Sequence, residues 1–461
     1  MSLSKRLLVL ALGACFAAPA FAQESLVEVY ERALVNDPAI REAEATYLAN
    51  AEVKPQARSA LLPGLTFGAS RAHRFQDTEV RSGSTDPITG FPLGSRQQFE
   101  QDTTGYALSL TQSIFDWSNL KTLEQADKRV LRAETDFRSA QQDLIVRVAT
   151  AYFNVLAAQD NLASAIAQRD SVSRQLEQSQ RRFEVGLIAI TDVQQSQAGY
   201  DDAVAAEIEA QRLLSTSHET LREIVGEIVP ELAAPIEDLP LLTPDPADAD
   251  EWVRVALDSN LTLQSSRLAA DVASDQIKIE KGSRLPTLSL TASYNDDEQD
   301  RVQTLFRALV ESTPSTQLPQ GRSWNLDLRF PIYTGGLNRS RVNQSVLQHR
   351  AAQETLERIA RQTERQTRDA YLGVISEISR VRALRQSVES NRTALRATEA
   401  GFEVGTQTTV DVLASQRNLR IQETTYSRSR YDYMLNVLAL KRAAGNLSEM
   451  DVAQVDSWLQ Q

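Results

Sequence analysis

The sequence is poor in the residues that build catalytic and metal sites. Its 461 residues include one cysteine, Cys15, so a disulfide within the chain is excluded. The three histidines, His73, His218 and His349, are scattered along the sequence, which argues against a clustered zinc or catalytic centre. We find neither a nucleophile–base motif nor a phosphate-binding loop. The sequence therefore predicts no enzyme and no cofactor.

Glycine and proline are also scarce, at 18 and 15 copies, which favours long helices. Neither occurs between Asn119 and Val185, and these 67 residues would form a helix of about 100 Å. Thr191 to Val225 predicts a returning helix of about half that length, with Thr191 and Gln194 as a capping box. The formal net charge of −12 argues against a nucleic-acid partner.

The first 22 residues have the pattern of a secretory signal peptide. Lys5 and Arg6 precede a short apolar run, and the small residue Ala22 predicts cleavage before Gln23. The apolar run is too short to remain as a membrane anchor. Cys15 lies in a weak match to a lipoprotein cleavage box, so its lipidation stays open as an alternative to removal with the signal peptide.

One segment occurs twice. Phe183–Val193 recurs as Phe402–Val412, 219 positions later, and each copy has glycine at the same place, Gly186 and Gly405. Such self-similarity predicts a tandem structural repeat. The predicted parts are a first repeat over 23–226, a proline-rich linker over 227–248, a second repeat over 249–446 and a tail of unassigned role over 447–461.

Four segments alternate between apolar and polar residues: 65–75, 106–114, 288–294 and 324–332. They predict four strands of roughly ten residues in the pattern of a transmembrane β-barrel. Long polar loops are expected at Asp77–Asp102 and Asp296–Arg322. The alternative is a soluble β-sandwich. Four strands cannot close a barrel in lipid, so copies of the chain would have to pool strands, giving 8 from two copies or 12 from three.

Apolar residues in the long helical segments recur every seven positions, with a parallel series of alanines in the first half. This spacing predicts helices packed in the manner of a coiled coil. The residues are Leu123, Val130, Phe137 and Leu144 with Ala126, Ala133 and Ala140, and then Val374, Val381, Val388, Leu395 and Phe402. Phe183 and Phe402 end these series, so core packing is expected for both.

Together these segments resemble the TolC family of outer-membrane efflux and secretion channels, over nearly the whole mature chain. The segments that carry the resemblance are Ala151–Leu156, Arg182–Leu187, Ala189–Gln194, Pro331–Gly336, Asp369–Val374 and Val410–Leu413. The resemblance implies a mainly α chain with transmembrane β-structure. Its implied assembly is a homotrimer in outer-membrane lipid, in which a 12-stranded β-barrel with four strands per chain is continued by a 12-helix α-barrel in the periplasm. It also implies two partners, a periplasmic adaptor and an inner-membrane transporter.

The resemblance further implies that the two repeated turns form the periplasmic tip. The residues expected to dock the adaptor are Val185, Gly186, Leu187, Val404, Gly405 and Thr406. Those expected at the entrance are Thr191, Asp192, Phe402, Gln407 and Asp411. Three copies of Asp411 would form a negative ring with raised carboxylate pKa values. The alternative is that Asp192 and Asp411 only stabilise the N-termini of the returning helices.

Two positions depart from the family pattern. Phe402 stands where a family tyrosine helps to close the tip, and Gln407 stands where an arginine of the same network would be. A further entrance aspartate is replaced by Ala414. The expected function is the exit duct of a tripartite efflux or type I secretion system, and the alternative is a non-conducting coiled-coil scaffold in the periplasm or at the cell surface.

Overall fold

A computed structural model describes residues 23–85, 87–88, 92–236, 238–306 and 310–460. The predicted signal peptide, including Cys15 and Ala22, lies outside the described residues, and Gln23 lies just inside them. The helices are α1 (Leu26–Asn36), α2 (Pro38–Ala51), α3 (Val53–Ser59), α4 (Trp117–Glu184), α5 (Ile190–Val225), α6 (Ala249–Ser259), α7 (Leu261–Gly282), α8 (Leu337–Glu403), α9 (Thr409–Ala444) and α10 (Glu449–Asp456). The strands are β1 (Gly64–Thr85), β2 (Pro92–Phe115), β3 (Thr287–Phe306), β4 (Val310–Gln317) and β5 (Gln320–Arg329).

The two halves of the chain contain the same series of elements. A short helix is followed by further helix, strands, a very long helix and a helix of about half that length. The long helices α4 and α8 have 68 and 67 residues, and the returning helices α5 and α9 have 36 each. The predicted long helix and its return are therefore confirmed. In the described part of the chain, no helix combines the length and hydropathy needed to cross a bilayer.

All five strands form one antiparallel sheet. β1 pairs with β2, β2 with β3, and β3 pairs with β4 along one end and with β5 along the other. β4 and β5 lie one after the other along the same edge of β3, and we call them together the β4–β5 line. The sheet is therefore four strands wide, as predicted. Within the described residues, β1 and the β4–β5 line each have a sheet partner on one side only.

The predicted strand lengths were wrong. β1, β2 and β3 have 22, 24 and 20 residues, so most of the expected loops at Asp77–Asp102 and Asp296–Arg322 is paired strand. The predicted strand on β1 ends at Phe75, after which Asp77 and Glu79 follow on the same face. Backbone pairing does not need apolar side chains, so the ladder continues where the sequence pattern stops. At the other end, β5 stops at Arg329, before the predicted end at residue 332.

The pairing register gathers the apolar side chains of the sheet on one face. Several rows across the strands carry apolar residues of the predicted alternation, and most of these side chains are exposed in the single chain. Phe67 and Tyr106 stack with ring centroids 6.2 Å apart. An exposed apolar face of this extent is a surface for lipid. Its rows include Leu65–Leu110–Ala292–Trp324 and Phe67–Leu108–Tyr294.

The chain divides into two compact units. The described residues of one unit lie within Met1–Tyr47, Glu134–Ser266 and Leu356–Gln461, and those of the other lie within Leu48–Ala133 and Arg267–Thr355. The first unit holds the main core, in which Phe153 packs edge-on against Tyr152 at 5.4 Å and stacks with Tyr431 at 5.8 Å. The second unit holds the sheet and the helix segments next to it.

Within the first unit, each returning helix ends against the junction between two shorter helices. Gly226 follows α5 and lies beside Asn36 at the end of α1, and Gly445 follows α9 and lies against Ser259 and Asn260 between α6 and α7. Asn260 Nδ2 donates to the carbonyl oxygen of Ala443 at 3.0 Å. Both glycines have positive φ, as left-handed helix C-caps require.

The C-terminal tail, to which the sequence assigned no role, binds the beginning of the chain. Asp456 at the end of α10 accepts hydrogen bonds from the amides of Leu26 and Val27, at 2.7 and 3.3 Å. These are first-turn amides of α1 without helical partners, so the carboxylate acts as an N-cap from a distant segment. Trp458 stacks with Tyr433 of α9 at 6.0 Å. Through these contacts the tail stabilises α1 near the first described residues and packs against α9 of the core.

Candidate functional site

The first repeated turn joins α4 to α5. Gly186 has φ of +77°. Its amide donates to the carbonyl oxygen of Phe183 at 2.9 Å, and the amide of Leu187 donates to the carbonyl oxygen of Arg182 at 2.8 Å. These two bonds satisfy carbonyl groups at the end of α4 in the Schellman arrangement. The sequence folds this way because glycine takes the left-handed conformation with little strain.

The second turn, between α8 and α9, has the same construction. Gly405 has φ of +81°. Its amide donates to the carbonyl oxygen of Phe402 at 3.2 Å, and the amide of Thr406 donates to the carbonyl oxygen of Gly401 at 2.8 Å. The Thr406 hydroxyl also donates to Gly401, at 3.1 Å. Both repeated segments are therefore tight turns at the ends of long helical hairpins.

The predicted capping box at Thr191 is wrong. α5 begins at Ile190 with Ala189 as its N-cap, and Thr191 lies within the first turn. The Asp192 carboxylate accepts from the amide of Ala189 at 3.3 Å, which is one half of a capping box. Alanine has no side-chain acceptor for the other half, so the Thr–Gln spacing misplaced the cap by two residues.

The second turn carries a complete box. The Thr408 hydroxyl oxygen lies 3.3 Å from the amide of Asp411, which donates to it, and the Asp411 carboxylate accepts from the amide of Thr408 at 2.8 Å. The Thr408 hydroxyl also lies 2.6 Å from that carboxylate. These Thr408 groups lower the pKa of Asp411 below its ordinary value of 3.8. In the single chain, this lowering of the Asp411 pKa opposes the rise in pKa that is expected from clustering three carboxylates.

The capping arrangement predicts opposite effects at the two turns. Thr408→Ala should weaken the first turn of α9 by about 1 kcal/mol, whereas Ala189→Ser should add the missing acceptor and strengthen α5 by up to about 1 kcal/mol. The share of the α9 cap that Asp411 provides is present above pH 3.8 and is lost as the pH falls through its lowered pKa. Amide hydrogen exchange at the two first turns measures both effects. Unchanged exchange in Thr408→Ala would show that the box does not hold the turn.

The six residues expected to dock an adaptor all lie on the exposed turns. Val185, Leu187 and Val404 present apolar side chains to solvent, and Thr406 is exposed beside them. A Cβ added to Gly186 or Gly405 would have no neighbour within 4 Å, so space is open above both turns. Exposed apolar side chains at a hairpin end favour a partner surface, although the docking role itself remains a prediction.

The two repeated phenylalanines have different environments. Phe402 is buried, with 8% of its surface exposed, which confirms core packing, but Phe183 is 41% exposed, so the same expectation for it was wrong. The Arg182 guanidinium lies 5.0 Å from the centroid of the Phe402 ring, in the range of a cation–π contact. The sequence pattern gave no indication of this contact between α4 and α8, because it joins residues about 220 positions apart.

Further contacts join the two hairpins behind the turns. The buried Gln416 of α9 donates from Nε2 to the hydroxyl of Ser171 of α4 at 3.0 Å. A Cβ added to Gly199 of α5 would lie 3.2 Å from Cδ1 of Leu413 of α9, so the glycine leaves room for this leucine between the two hairpins. Gln407, at the expected arginine position, is exposed and lies over Gly401 of its own hairpin. Asp192 and Asp411 each bond to their own turn.

A profile of the outer membrane efflux protein family matches this chain twice, over residues 29–227 and 252–446. The chain belongs to the outer membrane efflux protein family. Outer membrane protein TolC of Vibrio cholerae is 35% identical over 441 residues, which cover 95% of this chain and 94% of TolC. Alkaline protease secretion protein AprF of Pseudomonas aeruginosa is 29% identical over 433 residues, which cover 93% of this chain and 86% of AprF.

Solved structures have the same fold. The crystal structure of the CmeC outer membrane channel of Campylobacter jejuni matches with a TM-score of 0.72 and 17% identity, over 96% of this chain and 91% of that one. The predicted fold is confirmed, namely a mainly α chain of two repeats with a sheet four strands wide and long helices, as in known outer-membrane channels.

Membership of the efflux protein family also decides between the two functions considered. This protein is an outer-membrane channel that extends into the periplasm, and the non-conducting scaffold is not supported. Its relatives are channel proteins and not enzymes.

Proposed function

We propose that this channel is the exit duct of a tripartite assembly for efflux or type I secretion. It would form a homotrimer in outer-membrane lipid, bind a periplasmic adaptor at its turns and receive cargo from an inner-membrane transporter. The observation that supports this most is the pair of glycine turns, which expose Val185, Leu187 and Val404 at the ends of hairpins about 36 residues deep. The relative AprF is named for the secretion of alkaline protease.

The sheet supports pooling of strands between copies. β1 and the β4–β5 line each leave one edge unpaired within the described residues. Every unpaired backbone group in lipid costs several kcal/mol, so two open edges facing hydrocarbon cannot persist. Pairing β1 of one copy with the β4–β5 line of the next removes both edges, and three copies give 12 strands.

Crosslinking through a photoreactive maleimide on an introduced cysteine tests the docking proposal, because it needs no cysteine on the partner. A cysteine at Leu187 or Thr406, labelled in this way, should crosslink to a periplasmic protein in intact cells, and that protein should be identified as a helical-hairpin adaptor. A cysteine at Ser215, exposed on α5 away from the turns, is the matched control and should capture none. If the cysteine at Ser215 captured the same protein as often as the cysteines at the turns, specific docking at the turns would be refuted.

We also propose that three Asp411 carboxylates form a negative ring at the entrance. Asp411→Asn keeps an oxygen acceptor for the cap but removes the charge, whereas Thr408→Ala weakens the cap and keeps the charge. Asp411→Asn should therefore reduce block by divalent cations in planar bilayers several-fold, and Thr408→Ala should not. If Asp411→Asn left block and conductance unchanged, the capping role alone would account for this residue. Asp192 can cap α5 and still contribute a negative charge to the same ring. Measuring divalent-cation block in Asp192→Asn tests whether it does.

A further inference from the structure

The face of the sheet opposite the apolar one carries two arginines in a single row. The pairing register places Arg74 of β1 opposite Gln101 of β2, and Gln101 opposite Arg301 of β3. Side chains alternate between the two faces of a strand. Arg74 and Arg301 each follow a residue of the apolar face, Phe67 and Tyr294, by seven positions, so both lie on the other face. In the closed barrel proposed above, that face lines the lumen.

This row lies beyond the band of the sheet that meets lipid. Arg74 is ten residues from the start of β1 at Gly64, which is about 34 Å along the strand on the side away from the helices. Beside it, the outward face carries His73, Asp102 and Asp300 in one row, and His73 Nδ1 lies 2.9 Å from Oδ1 of Asp102. Such polar groups belong outside hydrocarbon. Because the helices extend into the periplasm, the row is near the end of the lumen outside the cell, which we call the outer mouth.

The lumen face nearer the helices is made of small residues. The rows that begin at Gly64, Thr66 and Gly68 contain only glycine, alanine, serine, threonine and asparagine across the sheet. Twelve strands with a spacing of about 4.8 Å and a tilt of about 40° enclose a lumen about 24 Å across between backbones. Arg74 and Arg301 from three copies project six long side chains into this space, so their row narrows it.

The charge of this row is not neutralised by its neighbours. Among the residues that the structure describes, neither Arg74 nor Arg301 forms an ion pair with a carboxylate. The Arg301 guanidinium lies 4.8 Å from the centroid of the Phe99 ring, and its Nε is buried without an acceptor in the described part of the chain. The inward carboxylate of β3 is Asp297, four residues before Arg301 and so about 14 Å away along the strand. The row therefore keeps its positive charge.

We propose that Arg74 and Arg301 of three copies form a cationic ring at the outer mouth that binds multivalent anions. Rings of arginine or lysine select anions in pores, and guanidinium donates paired hydrogen bonds to phosphate and carboxylate oxygens. The ring is opposite in sign to the net charge of −12 and to the Asp411 ring proposed at the other end of the channel. This inference rests on the proposed closure of three copies into one barrel, and it specifies polyanions with phosphate or carboxylate groups as ligands.

Block of single-channel current by inorganic tripolyphosphate tests the ring. The anion is added at about 0.01 M salt, where screening extends over about 30 Å, to the compartment that the strands reach on insertion. It should block the wild type, and Arg74→Gln with Arg301→Gln should raise the blocking concentration about tenfold or more.

A second pair of arginines provides the matched control. Arg71→Gln with Arg322→Gln also removes two charges per copy, but from the outward face, so block should equal that of the wild type. Arg74→Lys with Arg301→Lys keeps the charge of the ring and should keep the blocking concentration within about threefold. Equal blocking concentrations in the two double glutamine variants would overturn the ring.

The side of addition separates the two sources of such an anion, the cell exterior and the exported cargo. Tripolyphosphate should block at a lower concentration from the side of the strands, because from the side of the turns it must first pass the helical part of the channel. Stronger block from the side of the turns would place the anion site elsewhere and overturn the assignment. A wild type that conducts without block would overturn the ring and leave the trimeric channel intact, whereas a wild type without current would refute the closed barrel and the ring together.

Discussion

Replacing Gly445 by alanine is expected to destabilise the protein by about 3 kcal/mol, of which about 1 is the strain of a positive φ and the rest is overpacking. Gly445 ends α9 with φ of +80°. A Cβ there would lie 2.6 Å from the carbonyl carbon of Ser259 and 2.7 Å from the Cα of Asn260. Both atoms are backbone, so neither can rotate away, and the junction of α9 with α6 and α7 would have to open.

Gly405→Ala is the matched control. Gly405 also follows a long helix, with φ of +81°, but an added Cβ would meet nothing within 4 Å. Its expected cost is only the conformational strain of about 1 kcal/mol. Urea unfolding of the detergent-solubilised protein, followed by far-ultraviolet circular dichroism, measures both. Equal losses from the two substitutions would show that the contact with Ser259 and Asn260 does not stabilise the fold.

Removing both lysine charges beside Asp275 is expected to cost about 3–5 kcal/mol, because a buried carboxylate would lose its compensation. Asp275 of α7 is 1% exposed and lies 2.6 Å from Lys128 of α4 and 2.7 Å from Lys278. Burial raises the pKa of Asp275, but hydrogen bonds and charge from the two ammonium groups outweigh it, so the pKa is lowered overall. Lys128→Met with Lys278→Met keeps the length of both apolar stems and removes both charges.

The pH dependence distinguishes this effect from a loss of packing. In the wild type, the lowered pKa means that Asp275 stabilises the fold above the unfolded carboxyl pKa, and that this stability is lost as the pH falls through the folded value. In the double variant, burial alone acts and raises the pKa, so acid should recover stability by protonating the carboxyl.

The triple variant with Asp275→Asn is the control for the double variant. It has no buried charge and should regain most of the lost stability at neutral pH. If the double and triple variants had the same unfolding midpoint at every pH, Asp275 would not be a buried charge that needs its partners.

Local patterns in the sequence predicted the elements of this fold well. The absence of glycine and proline from Asn119 to Val185 predicted α4 almost to its ends, because a long helix needs only continuous helix formers. The recurrence of Phe183–Val193 located both turns. The strands were found but were too short, since apolar alternation marks a face towards lipid, whereas pairing continues beyond Phe75 through the backbone.

Contacts between distant segments could not be predicted from the sequence. Asp456 caps α1 from 430 residues away, and Arg182 reaches Phe402 between repeats. Neither contact leaves a periodic signal, because each depends on how helices are placed in space. The cap at Ala189 was missed for a different reason, as its only side-chain contribution comes from Asp192, three residues later.

The central claim is that one chain supplies only part of a closed channel. Single-channel recording of the purified mature protein, combined with its mass in detergent by light scattering, tests it most directly. The account predicts a trimer that inserts into planar bilayers and conducts in discrete steps. A monomer that stays in water without detergent and passes no current would contradict it.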